Sequence, residues 1–232
     1  TDKPRAILTT CATGLGAAAN LSALLKASIP EALGIDIVAC DVETLADPAR
    51  REPMLSRYEV LAIVGTLDPH LADLPWISLD SLISGEGSRP LMRIFGELAT
   101  AEQVSEINNL ILKNFSLRRV IESVTILDTA KVINQVEQFL LRYEHLAGRD
   151  VPNDRKVALY VHISCLIERL IRHASPAQYT GGQCPDRELA TLREAFSVIE
   201  SGYSVKIPVV ELCYIHDILT RETEFIQEDQ DF

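Results

Sequence analysis

Two stretches of this sequence carry side chains able to accept a phosphoryl group. The first is Cys11-Ala-Thr-Gly-Leu-Gly16, which follows the apolar run Arg5–Thr10 and precedes the alanine-rich segment Ala17–Lys26. A strand, then Cys-x-x-Gly-x-Gly, then a helix puts a thiol beside the free N–H groups of the helix start. Those donors and the helix dipole hold an anion, and the same field draws a thiol toward its thiolate. Cys11 is therefore a candidate phosphocysteine, with Thr13, Gly14 and Gly16 as its phosphate-binding loop and the glycines permitting close approach. The second stretch is Leu159–Arg172, L-Y-V-H-I-S-C-L-I-E-R-L-I-R. On a helix advancing ~100° per residue, His162 and Arg169 fall within about 20° of one face, with Arg155 and His173 on the same stripe. Guanidinium forks match phosphate oxygens in pairs, so the strip of His162, Arg169 and Arg155 is a candidate phosphate site.

Each stretch also has a structural reading. Cys11 fits a buried cysteine whose neighbouring glycines serve only the turn, and the position at a strand–helix junction favours chemistry. His162 fits an interface histidine with solvated arginines, and the helix taken alone favours that structural role. Gly14-Leu-Gly-Ala-Ala-Ala19 also matches G-x-G-x-x-A of dinucleotide folds, with Asp41 placed to meet a ribose. The surrounding α/β segment is short for that fold. A cysteine phosphatase of the low-molecular-weight type requires arginine six residues after the cysteine, where this chain has Ala17. A nucleoside-triphosphate loop is excluded, because G-x-x-x-x-G-K is absent.

The elements that must position these groups differ between the two halves. Arg5–Thr10, Gly34–Val42 and Glu59–Gly65 read as strands, Leu74–Leu79 as a weaker fourth, and Thr44–Tyr58 as helical. Strand and helix alternate, which implies a four-stranded parallel sheet with helices. After the turn-rich Gly85–Pro90 no convincing strand follows. Ala101–Asn114, Ser116–Val124, Thr129–Leu146, Lys156–His173, Asp186–Gly202 and Val209–Phe225 read as helices, with breaks at Gly148, Pro152, Pro176, Gly181-Gly182, Pro185 and Pro208. Asp128 and Asp186 are predicted N-caps. The expected fold class is α/β followed by all-α: an α/β domain over 1–98, a helical connector over 99–127 and a helical bundle over 128–232.

Composition narrows the function. With 22 basic and 33 acidic residues the 232-residue chain carries a formal charge of −11, which argues against a nucleic-acid surface. The densest acidity, Glu222–Asp231, reads as a solvated end. Cysteines at 11, 40, 165, 184 and 213, odd in number and without C-x-x-C, fit reduced cytoplasmic thiols rather than a disulfide framework or a zinc site. No apolar run reaches the ~18 residues of a membrane helix, no signal peptide precedes the first strand, and no metal or cofactor is expected. A start at Thr1 suggests a piece of a longer protein, with removal of an initiator methionine as the alternative.

With both stretches in view, the chain resembles the carboxy-terminal part of bacterial transcription activators controlled by the sugar phosphotransferase system (PTS). The likeness is to the sigma-54-dependent regulators of the levanase-operon type. T-T-C-A-T-G-L-G resembles the loop of a galactitol-type IIB domain, in which the loop cysteine, here Cys11, receives phosphate from an upstream phosphoprotein. H-I-S-C-L-I-E-R, with His162 seven residues before Arg169, resembles the first phosphorylatable histidine of a PTS regulation domain (PRD). The second histidine of that family follows an acidic residue, and I-P-V-V-E-L-C-Y-I-H-D-I offers Glu211 and His216, about two residues short of the usual spacing, with Ile218 in the usual place. The resemblance implies one principal acceptor, His162, with Cys11 as a second input. It further implies phosphorylation by HPr and IIA or IIB components, homodimerisation, a cytoplasmic location, and no DNA contact by this part. The competing expectation is a IIB enzyme passing phosphate from Cys11 to a sugar. His70 and His145 are expected at the surface, and His173 at a helix end.

Overall fold

The computed structural model describes residues 3–84, 87–174 and 183–220, so the acidic run 222–231, the end of the last expected helix and the breaks at Pro176 and Gly181-Gly182 lie outside the described residues. By internal contacts the chain divides into two compact units, one of residues 1–115 with 152–154, the other of residues 116–151 with 155–232.

The first unit is built on four parallel strands, β1 (Arg5–Thr10), β2 (Ile35–Ala39), β3 (Glu59–Gly65) and β4 (Trp76–Ser78), in the order β2-β1-β3-β4. The near-continuous apolar runs are explained by burial on both faces. Alternate residues separate into two cores. Ile7, Ile37, Ala62, Val64 and Ile77 pack with α1 (Leu15–Ser28), α4 (Leu79–Ile83), α5 (Arg89–Phe95) and the first half of α6 (Ala101–Ser123). Leu8, Val38, Ile63 and Trp76 face the other way, toward Leu45 of α2 (Val42–Ala46) and Met54 and Leu55 of α3 (Pro48–Leu55). The expected fourth strand contracts to three residues because Ser78 caps α4, its hydroxyl accepting from the Ser81 N–H at 3.1 Å.

Helix α6 runs unbroken through the gap expected at Phe115. Its polar residues on either side are satisfied: Asn114 donates to the Ser28 hydroxyl at 3.0 Å, and buried Asn108 exchanges amide hydrogen bonds with Asn153 at 3.0 and 3.1 Å. Buried polar groups with partners carry little penalty.

Among the described residues the second unit is helical: the end of α6, α7 (Thr129–Ala147), α8 (Asn153–Ile171), α9 (Asp186–Ala195), α10 (Ser197–Tyr203) and α11 (Val209–Thr220). Asp128 caps α7 as expected, accepting from the Ala130 and Lys131 N–H groups at 3.0 and 3.2 Å. The expectation for Asp186 is corrected: Pro185 holds the cap position without a side-chain bond, and Asp186 lies in the first turn, where its charge still suits the dipole. The single helix expected over Asp186–Gly202 is also corrected, since it divides at Phe196. That ring is fully buried and stacks on Phe139 at 4.1 Å, so packing turns the backbone there against local helix propensity.

The segment joining α6 to α7 is held by a buried carboxylate. Glu168 on α8 accepts from the Thr125 N–H at 2.8 Å and from the Thr125 hydroxyl. Those hydrogen bonds hold its carboxyl below the ordinary value of 4.5 against the opposing effect of burial, which is the largest single influence. Glu168→Ala is expected to cost about 2 kcal/mol, because it orphans two donors bonded to a charged acceptor; urea unfolding measures it. The stabilisation from Glu168 is present above the ordinary carboxyl value and is lost as pH falls through the depressed one, so the difference between wild type and Glu168→Ala should vanish in acid.

Candidate functional site

Helix α8 buries Leu159, Tyr160, Ile163, Leu166 and Ile167 in the core of the second unit. His162 and Arg169 stand at the edge of that face, partly covered, with side-chain exposures of 21% and 29%. Opposite them α11 presents a buried face of Glu211, Leu212, Ile215 and Leu219. The start of α11 is fixed by a polar clamp. Arg193 donates to the Ile207 carbonyl at 2.6 Å, and Glu200 accepts from the Ile207 N–H at 3.1 Å.

This packing brings Glu211 between the two residues singled out on α8. One carboxylate oxygen lies 3.1 Å from Arg169 Nη1 and the other 3.6 Å from His162 Nε2. The Glu211 side chain is only 3% exposed, so its charge depends on these partners. The Tyr214 ring packs against the His162 imidazole, centroids 4.6 Å apart. Burial holds His162 below its ordinary value of 6.5; Glu211 opposes that shift and Arg169 adds to it. The ring is therefore neutral at physiological pH and keeps a nucleophilic nitrogen. Its Nε2 is buried and at 3.6 Å makes no hydrogen bond.

The remaining cations and histidines of the stripe are spread out. Arg155 donates to the Ile218 carbonyl at 2.7 Å, a bond that ties α8 to the end of α11. His173 follows α8 in a left-handed conformation, exposed. His216 is mostly buried, with Nδ1 4.0 Å from Glu188 and without a hydrogen bond. His70 and His145 are exposed.

Glu211 is the functional residue whose role the sequence reading missed. Its signal was present: a lone carboxylate in the apolar run I-P-V-V-E-L-C-Y-I demands a cation once that helix face is buried. The distance of 42 residues from Arg169 hid the partner.

In the first unit, Cys11 ends β1 with its side chain in the core facing α1, 5% exposed. The carbonyl of Cys11 accepts from the Gly14 N–H at 3.1 Å, closing the turn. Gly14 adopts φ 110°, a conformation that excludes other side chains in practice. The loop is braced by the Ala12 N–H donating to the Thr66 hydroxyl at 3.0 Å and by the Thr9 hydroxyl donating to the Ala18 carbonyl at 2.8 Å. Thr13 and Gly16 are exposed, and a Cβ at Gly16 would meet nothing within 4 Å. Asp41 is occupied as the cap of α2, accepting from the Thr44 N–H and hydroxyl. The Cys40 and Cys184 thiols are both pushed up to about 11, chiefly by burial. Among the described residues no cluster of His, Cys, Asp and Glu could hold a metal ion, and no helix is long and apolar enough to cross a membrane.

Comparison with known proteins places this geometry. Residues 137–222 match the PRD domain family, a span that contains His162, Arg169, Glu211 and His216. The chain is 26% identical over 228 residues to the transcriptional regulatory protein DagR of Salmonella typhimurium (strain 14028s / SGSC 2262), covering 93% of this chain and 24% of DagR. It is 25% identical over 172 residues to the transcriptional regulatory protein LevR of Bacillus subtilis (strain 168), covering 73% of this chain and 18% of LevR. The chain thus spans about a quarter or less of the length of these curated relatives. No solved structure matches it. The PRD match falls on the helices that carry the His162–Glu211–Arg169 cluster, and the chain as a whole is similar to transcriptional regulatory proteins of the LevR type.

Proposed function

We propose that this chain is a regulatory input module of a PTS-controlled transcription activator, and that His162 is its principal phosphate acceptor. The observation that carries this reading is a neutral, half-buried imidazole beside an arginine within the PRD span. In the transfer, the P–N bond of a donor phosphohistidine breaks and a P–N bond forms to the unprotonated ring nitrogen of His162. The other ring nitrogen keeps its proton. The new group brings about two negative charges, which Arg169 can meet with paired hydrogen bonds. Packing around α8 and α11 must then change, since a doubly charged group cannot stay buried without partners. The readout would be a shift between two arrangements of a cytoplasmic homodimer acting on sigma-54-dependent transcription. HPr and IIA or IIB components would be the donors.

Cys11 is the second proposed input. Its thiol would have to turn out of the apolar core toward the exposed turn at Thr13–Gly16, where the N–H groups of α1 would receive the phosphoryl oxygens.

Incubation with enzyme I, HPr, IIA and IIB components and labelled phosphoenolpyruvate tests both assignments. Most of the label is expected to disappear in His162→Ala, and the remainder in Cys11→Ser. Label unaffected by either substitution would sink the reading. Label transferred from Cys11 onto a sugar in the presence of a membrane partner would favour the IIB enzyme instead.

A further inference from the structure

We infer that Glu211 is a resident stand-in for phosphate, and that phosphorylation of His162 expels its carboxylate from Arg169. The inference rests on the proposed role of His162 and extends it to a residue on a different helix, 49 positions further along the sequence.

A single buried group, 3% exposed, has one oxygen 3.1 Å from Arg169 Nη1 and the other 3.6 Å from His162 Nε2. In the unphosphorylated chain this arrangement has internal logic. The buried Glu211 carboxylate requires a cation beside it, which Arg169 supplies at 3.1 Å. The imidazole donates no hydrogen bond to the carboxylate and remains neutral.

A phosphoryl group on His162 puts a second, stronger anion within reach of the same guanidinium. Two anions cannot both stay at close range in a dry pocket with one cation between them. Arg169 favours the phosphoryl group, whose oxygens match both arms of the fork and carry more charge. The Nε2 side of the ring also faces the carboxylate directly, so a phosphoryl group there would occupy the place where Glu211 stands. Glu211 lies in the first turn of α11, next to core residue Leu212. Its departure therefore loosens the start of that helix. The swap converts a local charge into movement of a packed element, with Glu211 as a positioning residue.

Hydrogen exchange on the 232-residue chain tests the swap, with phosphoramidate as a chemical phosphate donor so that partner recognition plays no part. In wild type, phosphorylation is expected to accelerate exchange of the 211–215 amides by about tenfold or more, as for a locally opened helix turn. In Glu211→Gln, exchange in the unphosphorylated chain should already be fast, and phosphorylation should change it by less than about twofold. Mass spectrometry confirms phosphate on His162 in each sample, and a melting curve confirms that the variant is folded. If His162 carries phosphate in wild type and the 211–215 amides keep their protection, the swap is wrong, because Glu211 has then kept its place beside Arg169. If His162 takes no phosphate from either phosphoramidate or the PTS proteins, the proposed function fails first, and the swap falls with it.

Discussion

Arg169→Ala is expected to raise the His162 pKa and to slow phosphate uptake at neutral pH, while costing about 2 kcal/mol of stability. The stability estimate starts from the 3–5 kcal/mol typical of breaking a buried ion pair. It is reduced because Arg169 is 29% exposed and because Glu211 keeps a fallback partner in His162, 3.6 Å away. The pKa direction follows from the charges. Burial pushes the His162 value down most, Glu211 pushes it up and Arg169 adds to the fall; with the guanidinium gone, burial alone opposes the carboxylate. More of the ring is then protonated at pH 7, and a protonated imidazole offers no lone pair to phosphorus. The variant should therefore recover acceptance as pH rises. In wild type the same ring also links stability to pH. A histidine held below 6.5 by burial favours the fold above that value, and its contribution is lost as pH falls from 6.5 through the depressed one. NMR titration of the His162 ring in both proteins decides the matter, and a fall in the pKa of Arg169→Ala would contradict the charge assignment.

Gly65→Ala is expected to abolish the cooperative unfolding of the α/β unit. A Cβ at Gly65 would lie 1.7 Å from the Thr10 carbonyl oxygen and 2.7 Å from its carbon. Neither atom can step aside, because the same carbonyl accepts from the Thr66 N–H at 3.2 Å and Thr10 pairs with Gly65 at the end of the central strands. Relieving the clash means separating β1 from β3 beside the Cys11 turn. The cost should exceed about 3 kcal/mol, the upper range for overpacking, with loss of the sheet's circular dichroism in urea at concentrations that leave wild type folded. Gly16→Ala is the contrasting case. It meets nothing within 4 Å and sits in the first turn of α1, so its stability should match wild type or rise by about 0.5 kcal/mol. Equal stability of Gly65→Ala and wild type would refute the close-approach argument.

The parallel sheet, the Cys11 turn and the helical second half were legible because each depends on local pattern. Buried strands such as Glu59–Gly65 are runs of apolar residues, and Gly14 marks a backbone turn that few other residues can make. What escaped local reading depends on partners far along the chain. The gap expected at Phe115 closes within α6, where Asn108 and Asn114 meet Asn153 and Ser28. Phe196 looked like an ordinary helix residue until the Phe139 ring stacked on it. In the candidate site, the seven-residue spacing identified His162 and Arg169. The carboxylate that joins them arrives on another helix, and no periodicity records it.

The strand order has a practical consequence for where the chain can be shortened. In β2-β1-β3-β4 the first strand to be made is an interior one, flanked by partners on both sides. Trimming a protein's amino terminus ordinarily removes a dispensable edge. Here a boundary set after Thr10 would take out the middle of the sheet and leave β2 and β3 with facing, unbridged hydrogen-bonding edges. Expression boundaries and fusion junctions for this region therefore belong before Arg5.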